Sequence, residues 1–191
     1  MILTVTDAKG IEIDTAGERR VEPVPGWDLR ISIDRNIQEY AAQLAENTPM
    51  RSAVQKAIAG GLPTVAECGG FLYLGRSLEG ADGIVYPMAG VLPGQGFRVG
   101  RLVRFGYAKL TARTDSMLFA AGESLPVHEF HHWDTTANGE AFAAAKADGR
   151  QWACGFANEH LYAGFPHLYW AGTPLPKRFA DAAGRYIKER T

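Results

Sequence analysis

Cysteine is scarce in this chain: 191 residues contain two, Cys68 and Cys154. That is too few for a disulfide scaffold, and it leaves the fold to be held by an ordinary apolar core. No apolar run approaches the roughly 20 residues that cross a bilayer, and the opening residues lack the charged-then-apolar pattern of a signal peptide. An excess of one charge is also missing. The 20 Lys and Arg against 21 Asp and Glu leave a formal net charge of -1, and without a long basic block nucleic acid is not expected as the main partner. The expectation is a soluble cytoplasmic protein that uses neither membrane nor nucleic acid and keeps Cys68 reduced. A Gly-x-x-x-x-Gly-Lys-Ser/Thr loop is absent too, as is any Gly-Lys pair. The chain therefore lacks the obvious phosphate cradle of an ATP-dependent synthetase, and by itself it should not make amides.

What the chain does contain centres on Val65-Ala66-Glu67-Cys68-Gly69-Gly70, followed by Phe71-Leu72-Tyr73-Leu74. A short apolar strand that runs into a cysteine and two glycines presents a nucleophile at a sharp strand-to-helix turn. The glycines let a reacting carbonyl approach the backbone N–H groups at the start of the helix. A helix start favours thiolate over thiol, and thiolate is the attacking species. The plain alternative is a buried structural cysteine followed by a loop.

The flanking pattern supports the elbow. Thr48-Pro49 reads as an N-cap with proline at the first helical position, and Met50, Ala53, Val54, Ala57 and Ile58 recur on one helix face. Gly60-Gly61 ends that helix, Leu62-Pro63 turns the chain, and Thr64-Val65-Ala66 reads as a buried strand. Helix, strand, elbow and helix in that order make an α/β unit, with chemistry expected at the carboxyl end of the strand.

Elsewhere, residues 2–6 and 11–13 read as a hairpin, 29–33 as a weak strand and 37–46 as a helix. Residues 82–106 read as loops and short strands. Phe105 to Thr111, Leu125 to Trp133, Trp152 to Phe156 and Leu161 to Tyr162 are strand candidates, Asn138-Gly139 is a tight turn, and Pro176 to Arg190 closes the chain as a helix. Repeats and low-complexity segments are absent, and the length fits one domain with a substantial core.

Four segments taken in order, 44–51, 61–70, His128-Glu129-Phe130-His131 and Gly164-Phe165-Pro166-His167-Leu168-Tyr169, resemble the glutamine amidotransferase domain of cobyrinic acid a,c-diamide synthases. The likeness runs from about Gln38 to the C-terminus. Residues 37–191 are thus expected to form the amidotransferase-like domain, with 1–36 a divergent N-terminal segment. The resemblance implies a class I amidotransferase-like (flavodoxin-like) fold: α/β, a mostly parallel sheet with helices on both faces. It implies hydrolysis of glutamine to glutamate and ammonia. The ammonia would pass to an ATP-dependent synthetase domain or subunit, using ATP and Mg2+, that amidates a corrinoid precursor in cobalamin biosynthesis. This chain itself is expected to hold no cofactor and no metal. Cys68 would be the nucleophile, with His167 at the family's catalytic histidine position. The N–H groups of Gly69 and Gly70 would meet the oxyanion, and His128, Glu129 and His131 would lie near the substrate or the synthetase interface.

The chain departs from that pattern in three places. Asp34-Arg35 stands where the family's Gly-Gly loop would give a second oxyanion donor, and a carboxylate there would oppose a developing negative charge. Tyr169 stands where the general class has an acid two residues after the histidine. The first residues do not match the family's opening strand and helix. An impaired, amidotransferase-like binding or scaffolding module is therefore the leading alternative.

Two further readings compete. His128-Glu129-x-x-His132 satisfies the zinc hydrolase pattern His-Glu-x-x-His, which works when a helix puts both histidines on one face. The surrounding residues favour a strand, where the two would stand roughly 13 Å apart. Arg98, Arg101 and Arg104 form the most concentrated basic stretch, suited to a polycarboxylate or a synthetase surface. Cys154, beside Trp152, reads as a small buried hydrophobe.

Overall fold

The computed structural model describes residues 37–190. The readings at 2–6, 11–13, 29–33 and Asp34-Arg35 lie outside the described residues. From Ile37 the chain forms α1 (Ile37–Glu46) and α2 (Thr48–Ala59), then β1 (Thr64–Glu67) and the six-residue α3 (Gly69–Leu74). A long stretch of short strands follows: β2 (Ser77–Glu79), β3 (Val85–Pro87), β4 (Gln95–Arg98), β5 (Arg104–Ala112), β6 (Ser124–His131) and β7 (Trp133–Thr135). After these come β8 (Phe142–Ala145), β9 (Gln151–Cys154), β10 (Phe156–Ala157), β11 (Leu161–Gly164) and β12 (His167–Leu168), and α4 (Leu175–Lys188) closes the chain. No helix among the described residues is long and apolar enough to cross a membrane.

α2 starts one residue earlier than its sequence suggests. Asn47, not Thr48, is the cap: its side chain accepts the Met50 N–H at 3.1 Å, while Thr48 Oγ1 accepts instead from Arg51. Both residues are good caps, and proline in the first turn suits either start. Val54 and Ile58 are the buried face, and Gly61, at φ 85°, turns the chain towards β1.

The strands form three sheets, ordered β1-β11-β10, β12-β6-β5-β8-β9 and β3-β2-β4-β7. Among the described residues only β1 with β11 and β2 with β4 pair in parallel. The sheets are mixed, so the α/β class holds and the expected mostly parallel sheet is met only in part. Between Leu74 and Leu175 no α-helix supplies a crossover, and most neighbours in that stretch pair antiparallel; β2 and β4 are parallel across the intervening β3.

The β1-β11-β10 sheet separates two cores. On one side Ala66, Leu161 and Ala163 pack with Ala41, Val54, Ile58 and Phe71 of the first three helices. On the other, Tyr162 packs with the inner face of the five-stranded sheet (Leu110, Val127, Phe142, Ala144) and with Leu175 and Ala182 of α4. Helices therefore do lie on both faces of this small sheet. Strand alternation sends successive residues of β1 into opposite cores.

Candidate active site

β1 carries the elbow. Cys68 follows its last residue with φ 51° and ψ -106°, and among the described residues it is the one non-glycine at positive φ. Such a backbone costs about 1–3 kcal/mol and persists only where its surroundings impose it. Here the imposition is visible. β1 and β11 run parallel with Glu67 opposite Gly164, and the Cys68 N–H extends the ladder by donating to the Gly164 carbonyl at 2.8 Å. Gly69 and Gly70 then open α3, all six residues of which are buried. Their N–H groups lie in the first turn, where intrahelical bonding leaves donors free.

The same pairing delivers the histidine. Three residues past Gly164 the chain enters β12, so the carboxyl ends of β1 and β11 bring positions 68 and 167 together across a hundred residues of sequence. The intervening turn is fixed by the buried Tyr162 hydroxyl, which donates to the Pro166 carbonyl at 2.9 Å. Phe165 fixes it further by stacking flat on His131, with ring centres 3.8 Å apart, and meeting Phe71 of α3 edge-on at 5.2 Å.

His167 lies between two acidic side chains. The neighbouring thiol of Cys68 is the strongest influence on the imidazole. Glu67 is second: its Oε2 lies 3.3 Å from His167 Nδ1, while its Oε1 accepts the Leu168 N–H at 3.1 Å. Together they outweigh the burial that would favour neutral imidazole, and push His167 up to about 10. The thiol also points at the Phe130 carbonyl of β6, 3.9 Å from the sulfur. Glu67 was quoted above only as part of the cysteine motif. Its place beside the histidine depends on a contact a hundred residues long, and the motif contains no signal for it.

β6 is a strand, so its side chains alternate. His128 is opposite His167 in register and shares its face, between the rings of Phe105 and Tyr107. Glu129 and His131 do not accompany it. Glu129 is 1% exposed and meets His131 Nε2 at 3.2 Å, Arg104 Nε lies 3.9 Å from the same carboxylate, and His131 Nδ1 donates to the Trp133 carbonyl at 2.7 Å. These two therefore lie on the buried face of β6, His131 stacked on Phe165, and not on the face that His128 shares with His167. The helical placement required by a His-Glu-x-x-His zinc site is likewise not what residues 124–131 adopt. Among the described residues, no three of His, Cys, Asp and Glu come together as a metal-ligand group.

The basic stretch does not act as one patch. Arg98 lies over Trp133 at 5.8 Å, and Arg104 turns inward over Trp152 at 5.1 Å. Cys154 is fully buried, and burial, reinforced by the Glu129 charge, pushes its thiol up to about 12.

The chain can now be set beside known proteins. Residues 37–174 match the family model described as the CobB/CobQ-like glutamine amidotransferase domain. The chain is similar to the cobyrinate a,c-diamide synthase of Salmonella typhimurium, 37% identical over 153 residues, covering 78% of this chain and 33% of that protein. It is also similar to the hydrogenobyrinate a,c-diamide synthase of Thermobifida fusca, 39% identical over 150 residues (75% and 30%). A third relative is the cobyrinate a,c-diamide synthase of Thermoplasma volcanium, 33% identical over 154 residues (79% and 34%). The chain thus spans about a third of the length of these curated relatives. An elbow cysteine at the end of β1, a histidine three residues past the strand that pairs with it, and a match to the family model over most of the chain lead to one conclusion: the chain belongs to the CobB/CobQ-like glutamine amidotransferase domain family.

Proposed function

We propose that this domain hydrolyses glutamine to glutamate and ammonia, with Cys68 as nucleophile and His167 as its proton partner. The ammonia goes to an ATP- and Mg2+-dependent synthetase domain or subunit, which amidates carboxylates of a corrinoid precursor in cobalamin biosynthesis. The observation that carries the reading is the pairing of β1 with β11, which brings the elbow cysteine and His167 to one sheet end with Glu67 3.3 Å from His167 Nδ1, an environment that pushes the imidazole up to about 10. A glutamine amide is a poor electrophile, so its hydrolysis calls for an ionised sulfur and a proton donor for the departing nitrogen. An imidazolium beside the sulfur meets both needs.

The Cys68 thiolate attacks the amide carbon, and the electron pair moves to the carbonyl oxygen, which the N–H groups at the start of α3 are placed to receive. Collapse of this tetrahedral species expels ammonia as His167 gives its proton to the leaving nitrogen. A thioester remains on Cys68. Water attacks it with His167 now taking the proton, and glutamate leaves as the thiolate re-forms. Glu67, bound to Nδ1, keeps the imidazole oriented with its other nitrogen free for the sulfur and the leaving group.

The test is release of glutamate from glutamine by the chain, alone and with its synthetase partner. Wild-type release that vanishes in both Cys68→Ala and His167→Ala supports the enzyme. No release by wild type in either setting refutes it in favour of the scaffolding module.

A further inference from the structure

We infer that the aromatic end of the outer face of the five-stranded sheet, beside His167, is the docking surface for the ATP-dependent amide-forming module that takes up the ammonia. This rests on the proposed glutamine hydrolysis for the identity of the occupant. The inner face of the sheet is covered by α4 and the second core. Among the described residues the outer face is uncovered, and its two ends differ. Far from His167 it has the polar character of a sheet face that meets water, with Lys109 exposed and Thr111 bonded to Ser124. Next to His167 it does not.

There Phe105 and Tyr107 of β5 stand opposite Phe130 and His128 of β6, and His128 is in turn opposite His167. The rings contact one another edge-on, Phe105 with Phe130 at 5.8 Å and Tyr107 with His128 at 5.1 Å, yet their outer sides are bare. Phe105 is 57% exposed, Tyr107 80% and Phe130 51%, and Tyr169, two residues past His167, is 61% exposed. At the usual area of an aromatic side chain this leaves on the order of 500 Å² of aromatic surface uncovered. That is near the upper limit for a monomer, and aromatic residues with few charges are the composition of an interface core.

Position and chain length identify the occupant. The patch borders the residues proposed to release ammonia: the Cys68 sulfur lies 3.9 Å from the Phe130 carbonyl, and His167 stands opposite His128. The matched relatives are about three times as long as the region they share with this chain and are diamide synthases. Two thirds of such a protein remain to be placed, and they must take up ammonia before water carries it away. A surface that seals against this apolar patch beside Cys68 and His167 would satisfy that requirement.

A photo-crosslinking amino acid placed at Tyr107, with Ser124 at the polar end as control, tests this in the cells that make the protein, in wild-type and Cys68→Ala backgrounds. Crosslinks from position 107 to an ATP-dependent synthetase region, at least tenfold above position 124 and retained in Cys68→Ala, support the inference. Crosslinks to a second copy of this chain, to its own residues 1–36, or none above the control, overturn it. Separately, Tyr107→Glu is expected to leave glutamine hydrolysis by the chain intact and reduce corrinoid amidation more than tenfold. Amidation at the wild-type level would overturn docking at this face. Glutaminase activity that is absent from wild type while the crosslink persists would refute the proposed hydrolysis and leave docking in place.

Discussion

Replacing Glu67 by glutamine changes one atom and one charge, and it isolates what the carboxylate does for His167. In the native site Oε1 accepts the Leu168 N–H and Oε2 faces Nδ1 at 3.3 Å. Glutamine can keep the first bond through its carbonyl, but its NH₂ then faces Nδ1. A donor there favours the neutral imidazole with the proton on Nε2, the nitrogen that should receive the thiol proton. A charge-assisted hydrogen bond is worth about 1.5–3 kcal/mol, and each ~1.4 kcal/mol is tenfold in rate. The His167 and Glu67 side chains are 43% and 23% exposed and their contact is long, so solvent screening takes the effect towards the lower end of that range. The expected loss in kcat is about tenfold to a hundredfold, with KM for glutamine little changed.

The pH profile gives the sharper readout. His167 is pushed up to about 10, first by Cys68 and then by Glu67, so its imidazolium survives well above neutrality. Removing one raising influence moves that ionisation down, and the alkaline limb of glutamine hydrolysis should follow it. The corresponding stability term is fully present below the ordinary value of 6.5 and lost as pH rises through about 10. Melting at neutral pH should fall modestly in Glu67→Gln, because the Leu168 bond is kept while part of this contribution is lost. A folded variant with kcat within twofold of wild type and an unmoved alkaline limb would refute the argument.

Two further outcomes follow from packing and burial. Iodoacetamide at pH 8 should alkylate Cys68 and spare Cys154, whose thiol is held at about 12 in the core; mass spectrometry after urea unfolding should then find both labelled, and early labelling of Cys154 in the native chain would contradict its burial. Phe165→Ala removes a ring that is 1% exposed, stacks on His131 and meets Phe71 edge-on, so urea denaturation should register a loss of about 3–5 kcal/mol together with weakened hydrolysis. A loss below about 1 kcal/mol would show that the turn before His167 is held by other contacts.

Local rules made much of the elbow legible. A strand, a cysteine, two glycines and an apolar helix follow one another in eleven residues, and each preference acts between near neighbours. The same holds for α1, α2 and α4 and for β5 and β6; Asn138-Gly139, expected as a tight turn, is instead an irregular connection in which Gly139, at φ 77°, passes close against the Gly155 backbone. Phe142–Ala145 is different. Three of its four residues are alanine, which has no preference for strand, yet it pairs on both sides, with β5 and β9, and buries Phe142 and Ala144.

The sequence alone determined that a cysteine would stand on a tight turn at a strand end, that the chain would build an α/β core, and, through its ordered motifs, which family that core resembles. Tertiary structure decided the parity of the sheets, which of the β6 residues face His167, and that the acid beside this imidazole comes from the position before the nucleophile. The division has a physical cause. Turns and caps are settled by interactions a few residues long, whereas the Glu67 carboxylate reaches His167 only after β1 and β11 have paired, and nothing in either segment records the other.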